Sequence, residues 1–74
     1  MRSYLVTLRK GKNYTQRQTA EKLDISESYY NQIENGERQK RMDISLISRL
    51  SVVFDVPITT IINYENQLHK EELV

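Results

Sequence analysis

The chain of 74 residues contains no cysteine and no tryptophan, one proline, two glycines and one histidine. Without cysteine there is no disulfide framework and no thiolate cluster for structural zinc. No apolar run approaches the roughly 20 residues that a membrane span needs, and the N-terminus lacks a signal-peptide apolar core. A soluble, cytoplasmic protein is therefore expected, with no membrane partner. With so few glycines there is no phosphate-cradling loop, and no paired-carboxylate motif stands in its place, so an enzyme, a cofactor and a metal are not expected. His69 lies in a polar tail beside Glu65, Glu71 and Glu72 and reads as a surface side chain. A chain this short buries only about 60% of the surface that its unfolded form exposes, which leaves room for one small domain.

The net charge of +1 is low for a chain with a nucleic-acid partner, but it hides an asymmetry. Residues 1–42 hold nine basic side chains (Arg2, Arg9, Lys10, Lys12, Arg17, Lys22, Arg38, Lys40, Arg41) against five acidic ones. Residues 43–74 hold Arg49 and Lys70 against five acids. Such a distribution suits either a face made for an anionic partner or an ordinary solvated surface.

Apolar spacing is helical nearly throughout, and the breaks fall at short polar turns. A first helix is predicted over 3–12, with Leu5 and Leu8 inward, cations in its last turn and Asn13 as a left-handed stop. Gly11 weakens that last turn. Thr15 and Gln18 form a capping box that opens a second helix to Leu23, with Thr19, Ala20 and Leu23 on its inner face. After a tight turn at Asp24-Ile25, Ser26 caps a third helix through Asn35, with Tyr30 and Ile33 inward and Gly36 as its left-handed end. A charged loop follows over 37–42. Asp43 caps a fourth helix with Ile44, Ile47, Leu50, Ser51 and Phe54 on one stripe. Pro57 starts a fifth helix carrying Ile58, Ile61 and Ile62. Residues 63–74 either extend that helix or fray. The fold class is all-α, with five helices and no strand.

The segment 15–36 carries the chemistry: two short capped helices joined by a sharp corner make a helix-turn-helix. Ala20 allows a close helix crossing, and Ile25 can plug the corner. The outer face of the second of these helices presents Glu27, Ser28, Tyr29, Asn31 and Gln32, whose polar tips suit base edges in a major groove. Leu8-Arg9, Tyr14-Thr15-Gln16, Ala20 with Leu23, Ile25-Ser26, Tyr29-Tyr30, Ile33-Glu34-Asn35-Gly36 and Leu50…Phe54-Asp55-Val56 resemble the phage-repressor and Cro-type (Xre-type) helix-turn-helix family over about residues 3–62. The resemblance implies a compact five-helix, lambda-repressor-like DNA-binding domain over 1–64, with 65–74 as a helix extension or tail. Three departures stand out. Asp24 replaces the customary turn glycine, Thr19 replaces an aliphatic residue, and the stretch from Gly36 to Phe54 is slightly longer than usual.

By the same resemblance, Glu27, Ser28 and Gln32 read bases, with Tyr29 and Asn31 beside them. Gln16, Arg17 and Asn35 hold phosphate, and Arg38, Lys40 and Arg41 in the following loop do likewise. Several of these have a second meaning. Glu27 can accept from cytosine N4 or merely favour the helix dipole. Gln16 can be an ordinary early-helix residue. Gln32, one turn beyond Ser28, suits adenine. Tyr29 can pack, bond a phosphate or touch a thymine methyl. The loop cations can be plain solvated charge. Arg9 and Glu34 match a structural ion pair of the family.

The function implied is a sequence-specific regulator of transcription, a repressor that binds a palindromic operator in double-stranded DNA as a homodimer through the recognition helix 26–35. It would be of the nucleoid-associated, prokaryotic or mobile-element type. Half-sites then lie about one helical turn, roughly 34–36 Å, apart, the docking geometry of that family. Ile58, Ile62, Tyr64 and Leu68, spaced about one turn apart along helix five and its extension, together with Leu73-Val74, are expected to make the dimer contact. For Ile58 and Ile61, closing the monomer core is the competing role. No small-molecule effector site is evident. The rival reading is a protein-interaction module, antitoxin-like or an anti-repressor partner, acting through its C-terminal helix.

Overall fold

The computed structural model describes residues 1–72 and shows five helices with no strand among them. The helices are α1 (Ser3–Gly11), α2 (Gln16–Leu23), α3 (Glu27–Asn35), α4 (Ile44–Phe54) and α5 (Ile58–Glu72). They fall into two units, one of residues Met1–Arg41 and the other from Met42 onward.

In the first unit α3 packs against both α1 and α2. Its boundaries follow from local chemistry. Thr15 and Gln18 make the reciprocal capping box that opens α2, and the Ser26 hydroxyl accepts from the Tyr29 amide at 3.1 Å to open α3. Both helices end in a left-handed residue, Asp24 (φ 60°) and Gly36 (φ 81°). The amides that follow, of Ile25 and Glu37, close back on the carbonyls of Ala20 and Gln32. At Asp24 a short polar side chain tolerates the conformation that glycine would otherwise supply. Asn13 is left-handed too (φ 61°), two residues beyond the last helical residue, because α1 stops at Gly11 and Lys12 is its cap. A Cβ added at Gly11 would touch nothing, so no packing requires glycine there.

Tyr4, Leu5, Ala20, Leu23, Tyr30 and Ile33 are buried in this unit, each large apolar side chain contributing about 1.5–3 kcal/mol. Leu8 is only half-buried, and Tyr4, not Leu8, joins Leu5 on the inward face of α1. Thr19 is fully buried, and its hydroxyl donates to the Thr15 carbonyl at 3.0 Å. A threonine is therefore accommodated in an aliphatic position without an orphaned hydroxyl.

In the second unit α4 and α5 pack on each other. Asp43 caps α4 by accepting the Leu46 amide at 2.7 Å, and Asp55 (φ 55°) ends it in the left-handed conformation. Ile47, Leu50, Ser51 and Phe54 are buried as expected, but Ile44 is 67% exposed. As the first residue of α4, Ile44 lies off the buried stripe, and Leu46 is buried instead. Pro57 precedes α5 rather than starting it.

The helix α5 continues through Glu72, so the tail extends it. That continuation corrects the reading of His69. It lies one turn beyond the buried Glu65, its Nε2 is 3.9 Å from Glu65 Oε1, and it is largely covered. Ile61 and Glu65 mark the buried line of α5, whereas Ile58 is 40% exposed and does not close a core. At about 100° per residue, Ile58 and Ile62 lie on one flank of that line and Tyr64 and Leu68 on the other. The four therefore do not form a single stripe. Leu73 and Val74 lie outside the described residues.

Candidate nucleic-acid interface

The helix α3 is held from behind by one carboxylate. Glu34, 1% exposed, receives Arg9 Nε at 2.7 Å and Gln16 Nε2 at 3.0 Å. Arg9 also donates to the Tyr14 carbonyl at 3.0 Å, which ties the α1–α2 connection to the same point. Burial by itself would raise the Glu34 carboxyl. The hydrogen bonds from Arg9 and Gln16 outweigh that and hold it below the ordinary carboxylate range. The Arg9 guanidinium is raised in turn, chiefly by its hydrogen bond to Glu34. The Tyr30 phenol beside them is pushed far above its usual value, first by burial and then by the carboxylate. It stays a neutral, space-filling group whose oxygen makes no well-aligned hydrogen bond.

From Glu34 the polar contacts run outward along α2 and α3. Gln16 Oε1 accepts from Asn31 Nδ2 at 3.1 Å, and Asn31 Oδ1 accepts from Asn35 Nδ2 at 3.1 Å. The family resemblance sets Asn31 beside the base readers and Gln16 among the phosphate contacts. In the structure their amides are joined to each other and brace α2 against α3, because one residue of each helix reaches the corner between them. Asn35 is exposed at the end of this chain of amides.

The remaining readers divide into two kinds. Glu27 and Ser28 are exposed in the first turn of α3, and their side chains make no hydrogen bond among the described residues. Gln32 and Tyr29 are half-buried and held by the following loop. Arg38 Nε donates to Gln32 Oε1 at 3.0 Å, and Gln39 Nε2 donates to the Tyr29 hydroxyl at 2.9 Å. With Oε1 engaged, the amide Nε2 is the donor that Gln32 offers outward; the second lone pair of Oε1 keeps the two-point adenine geometry open. Arg17 is exposed and lies 3.5 Å from Glu21, a surface pair worth little. Lys40 and Arg41 are exposed, as is Arg38.

Two further residues of this region carry no mark in the sequence. Arg2, by type one more cation, is 3% exposed and donates to backbone carbonyls around the end of α3. Gln39 adopts the left-handed region (φ 55°) in the middle of the charged loop. Nothing in residue type or spacing distinguishes either from its neighbours.

The helix-turn-helix family model matches residues 5–61, most of the chain and all of the segment that holds the amide chain and the readers. The chain belongs to the Xre/Cro-like helix-turn-helix family. Its five helices are those of the lambda-repressor-like domain, and it is a DNA-binding transcription regulator in the general sense of that family. No curated protein and no solved structure matches it. No helix among the described residues is long and apolar enough to cross a membrane.

Proposed function

We propose that this regulator is a repressor that binds a palindromic operator as a homodimer, with α3 lying in the major groove. The observation that carries the reading is the presentation of Glu27 and Ser28, exposed and uncommitted at the N-terminus of a helix locked from behind by Glu34. An N-terminal turn free of internal side-chain hydrogen bonds is what base-edge contact needs, since desolvated groups must be matched by the base and not by the protein. Glu27 suits cytosine N4 and Ser28 either base type, while Gln32 and Tyr29 read the following positions. Arg38, Lys40 and Arg41, with Gln16, Arg17 and Asn35, face the backbone. Cations there supply most of the sequence-independent affinity through counterion release.

A domain this small covers few base pairs, and a two-fold operator doubles the contacts. The dimer contact is assigned to α5, with Ile58 and Ile62 on one flank and Tyr64 and Leu68 on the other. Selection from random duplexes at low salt tests the whole reading. It should yield a near-palindromic consensus with half-sites about one helical turn apart. Failure to enrich any duplex would favour a protein-interaction role for the C-terminal helix.

A further inference from the structure

Behind the recognition helix, Arg2 is a buried cation whose partners tie three places together. Its backbone amide donates to the Glu34 carbonyl at 2.7 Å, and its Nη1 donates to the Ile33 carbonyl at 2.8 Å. Both carbonyls belong to the last turn of α3, where the Ile33 carbonyl also receives the amide of the cap residue Gly36 and a cation is favoured by the dipole. The other bonds of the same guanidinium go to the loop: Nη1 donates to the Arg38 carbonyl at 3.2 Å, and Nη2 donates to the Gln39 carbonyl. The side chains of these same two loop residues turn forward, Arg38 to Gln32 and Gln39 to the Tyr29 hydroxyl. One planar fork at the back of α3 therefore fixes the backbone from which two base-reading side chains at the front are held.

We propose that Arg2 is a positioning residue for DNA reading, acting on Gln32 and Tyr29 through the loop residues Arg38 and Gln39. This rests on the assignment of Gln32 and Tyr29 to base contact. Gln39 is a non-glycine residue in the left-handed region, a conformation that persists only where its surroundings over-determine it. Here the guanidinium holds its carbonyl and the Tyr29 hydroxyl holds its side chain. A lysine in place of Arg2 keeps the charge at the helix end but has no planar fork to span the carbonyls of Ile33, Arg38 and Gln39.

The test is a double-mutant cycle on the affinity of the full chain for its selected duplex, with far-UV circular dichroism confirming that each variant is folded at the assay temperature. Arg2→Gln should weaken binding about tenfold in the wild-type chain, but less than about twofold once Arg38→Ala and Gln39→Ala are already present. Arg2→Lys, which retains the charge and keeps the test open if the neutral variant does not fold, should show the same non-additivity. The same loss in both backgrounds, or no loss in the wild type, would overturn the proposal, because a residue that only stabilises the fold has no reason to act through the loop. A wild-type chain that selects no duplex would instead remove the reading on which the proposal rests.

Discussion

Arg9 Nε lies 2.7 Å from Glu34 Oε2, joining α1 to the last turn of α3 at a site where the carboxylate side chain is 2% exposed. A buried pair of this kind does not guarantee net stability, since both charges lose their hydration. Breaking it is a different matter, because the survivor stays buried without its counter-charge. Glu34→Ala should therefore cost about 3–5 kcal/mol in urea or thermal unfolding, and Arg9→Ala a similar amount.

The pH dependence of this site has a definite sign. The Glu34 carboxyl is held below its ordinary value of 4.5, so the folded state binds its proton less tightly than the unfolded state. Its contribution is fully present above that value and is lost as pH falls below it, through the folded-state pKa. Comparing the wild type with Glu34→Gln cancels the other carboxylates. The difference in unfolding free energy should be constant between about pH 6 and pH 7 and should shrink progressively below about pH 4.5. A difference that stays the same at about pH 3 would mean that Glu34 is not the titrating group.

Base reading and backbone neutralisation separate experimentally. Gln32→Ala should cost about 1–3 kcal/mol on the preferred duplex and relax selection at one position of each half-site. Lys40→Ala should weaken all duplexes alike and reduce the slope of log affinity against log salt by about one. Salt titrations on one matched and one scrambled duplex suffice. A uniform effect of Gln32→Ala would move that residue out of the set of base readers.

The two flanks of α5 can be told apart by charge. If the dimer is made through Ile58 and Ile62, Ile58→Glu should shift sedimentation toward the monomer at tens of micromolar, while Tyr64→Glu leaves it unchanged. The converse pattern assigns the contact to Tyr64 and Leu68. Both positions are 40% exposed, so neither substitution buries a charge in the monomer. Monomers at every concentration, with and without the selected duplex, would remove the dimer from the proposal.

Gly11 offers a prediction of the opposite sign. It is the last residue of α1, has no positive φ, and a Cβ there would meet nothing. Gly11→Ala should stabilise the protein by about 0.4–1 kcal/mol, mostly by restricting the unfolded chain. A melting temperature raised by roughly 2–8 °C is the expected readout. A fall would reveal a requirement for glycine that packing does not explain.

The features legible in the sequence are those decided within a few residues. The capping box of Thr15 and Gln18, the caps at Ser26 and Asp43, and the left-handed ends at Asp24 and Gly36 are all local arrangements between a residue and the nearest amides and carbonyls. Buried faces follow wherever the helical period is clean, as at Ala20, Leu23, Tyr30 and Ile33. The expectations that fail lie at helix ends or depend on which flank faces inward. Ile44 lies at the start of α4, where the first turn leans away from the stripe. His69 lies in a segment whose polarity suggests a free tail, yet helical continuation brings it against Glu65.

By itself the sequence determined five helices, their caps and the helix-turn-helix order, because propensity, capping and periodicity act over one or two turns. The chemistry of the reading face was also visible in it, as residue types along a single helix. Only the tertiary structure decided which of those side chains are free. Asn31 is bound to Gln16, Gln32 to Arg38 and Tyr29 to Gln39, while Glu27 and Ser28 are left open. The same holds for charge: Arg2, of the same residue type as the loop arginines, is drawn inside by backbone carbonyls that come from 31 residues or more along the chain. Hydrogen-bond partners that distant are set by packing, and no local pattern encodes them.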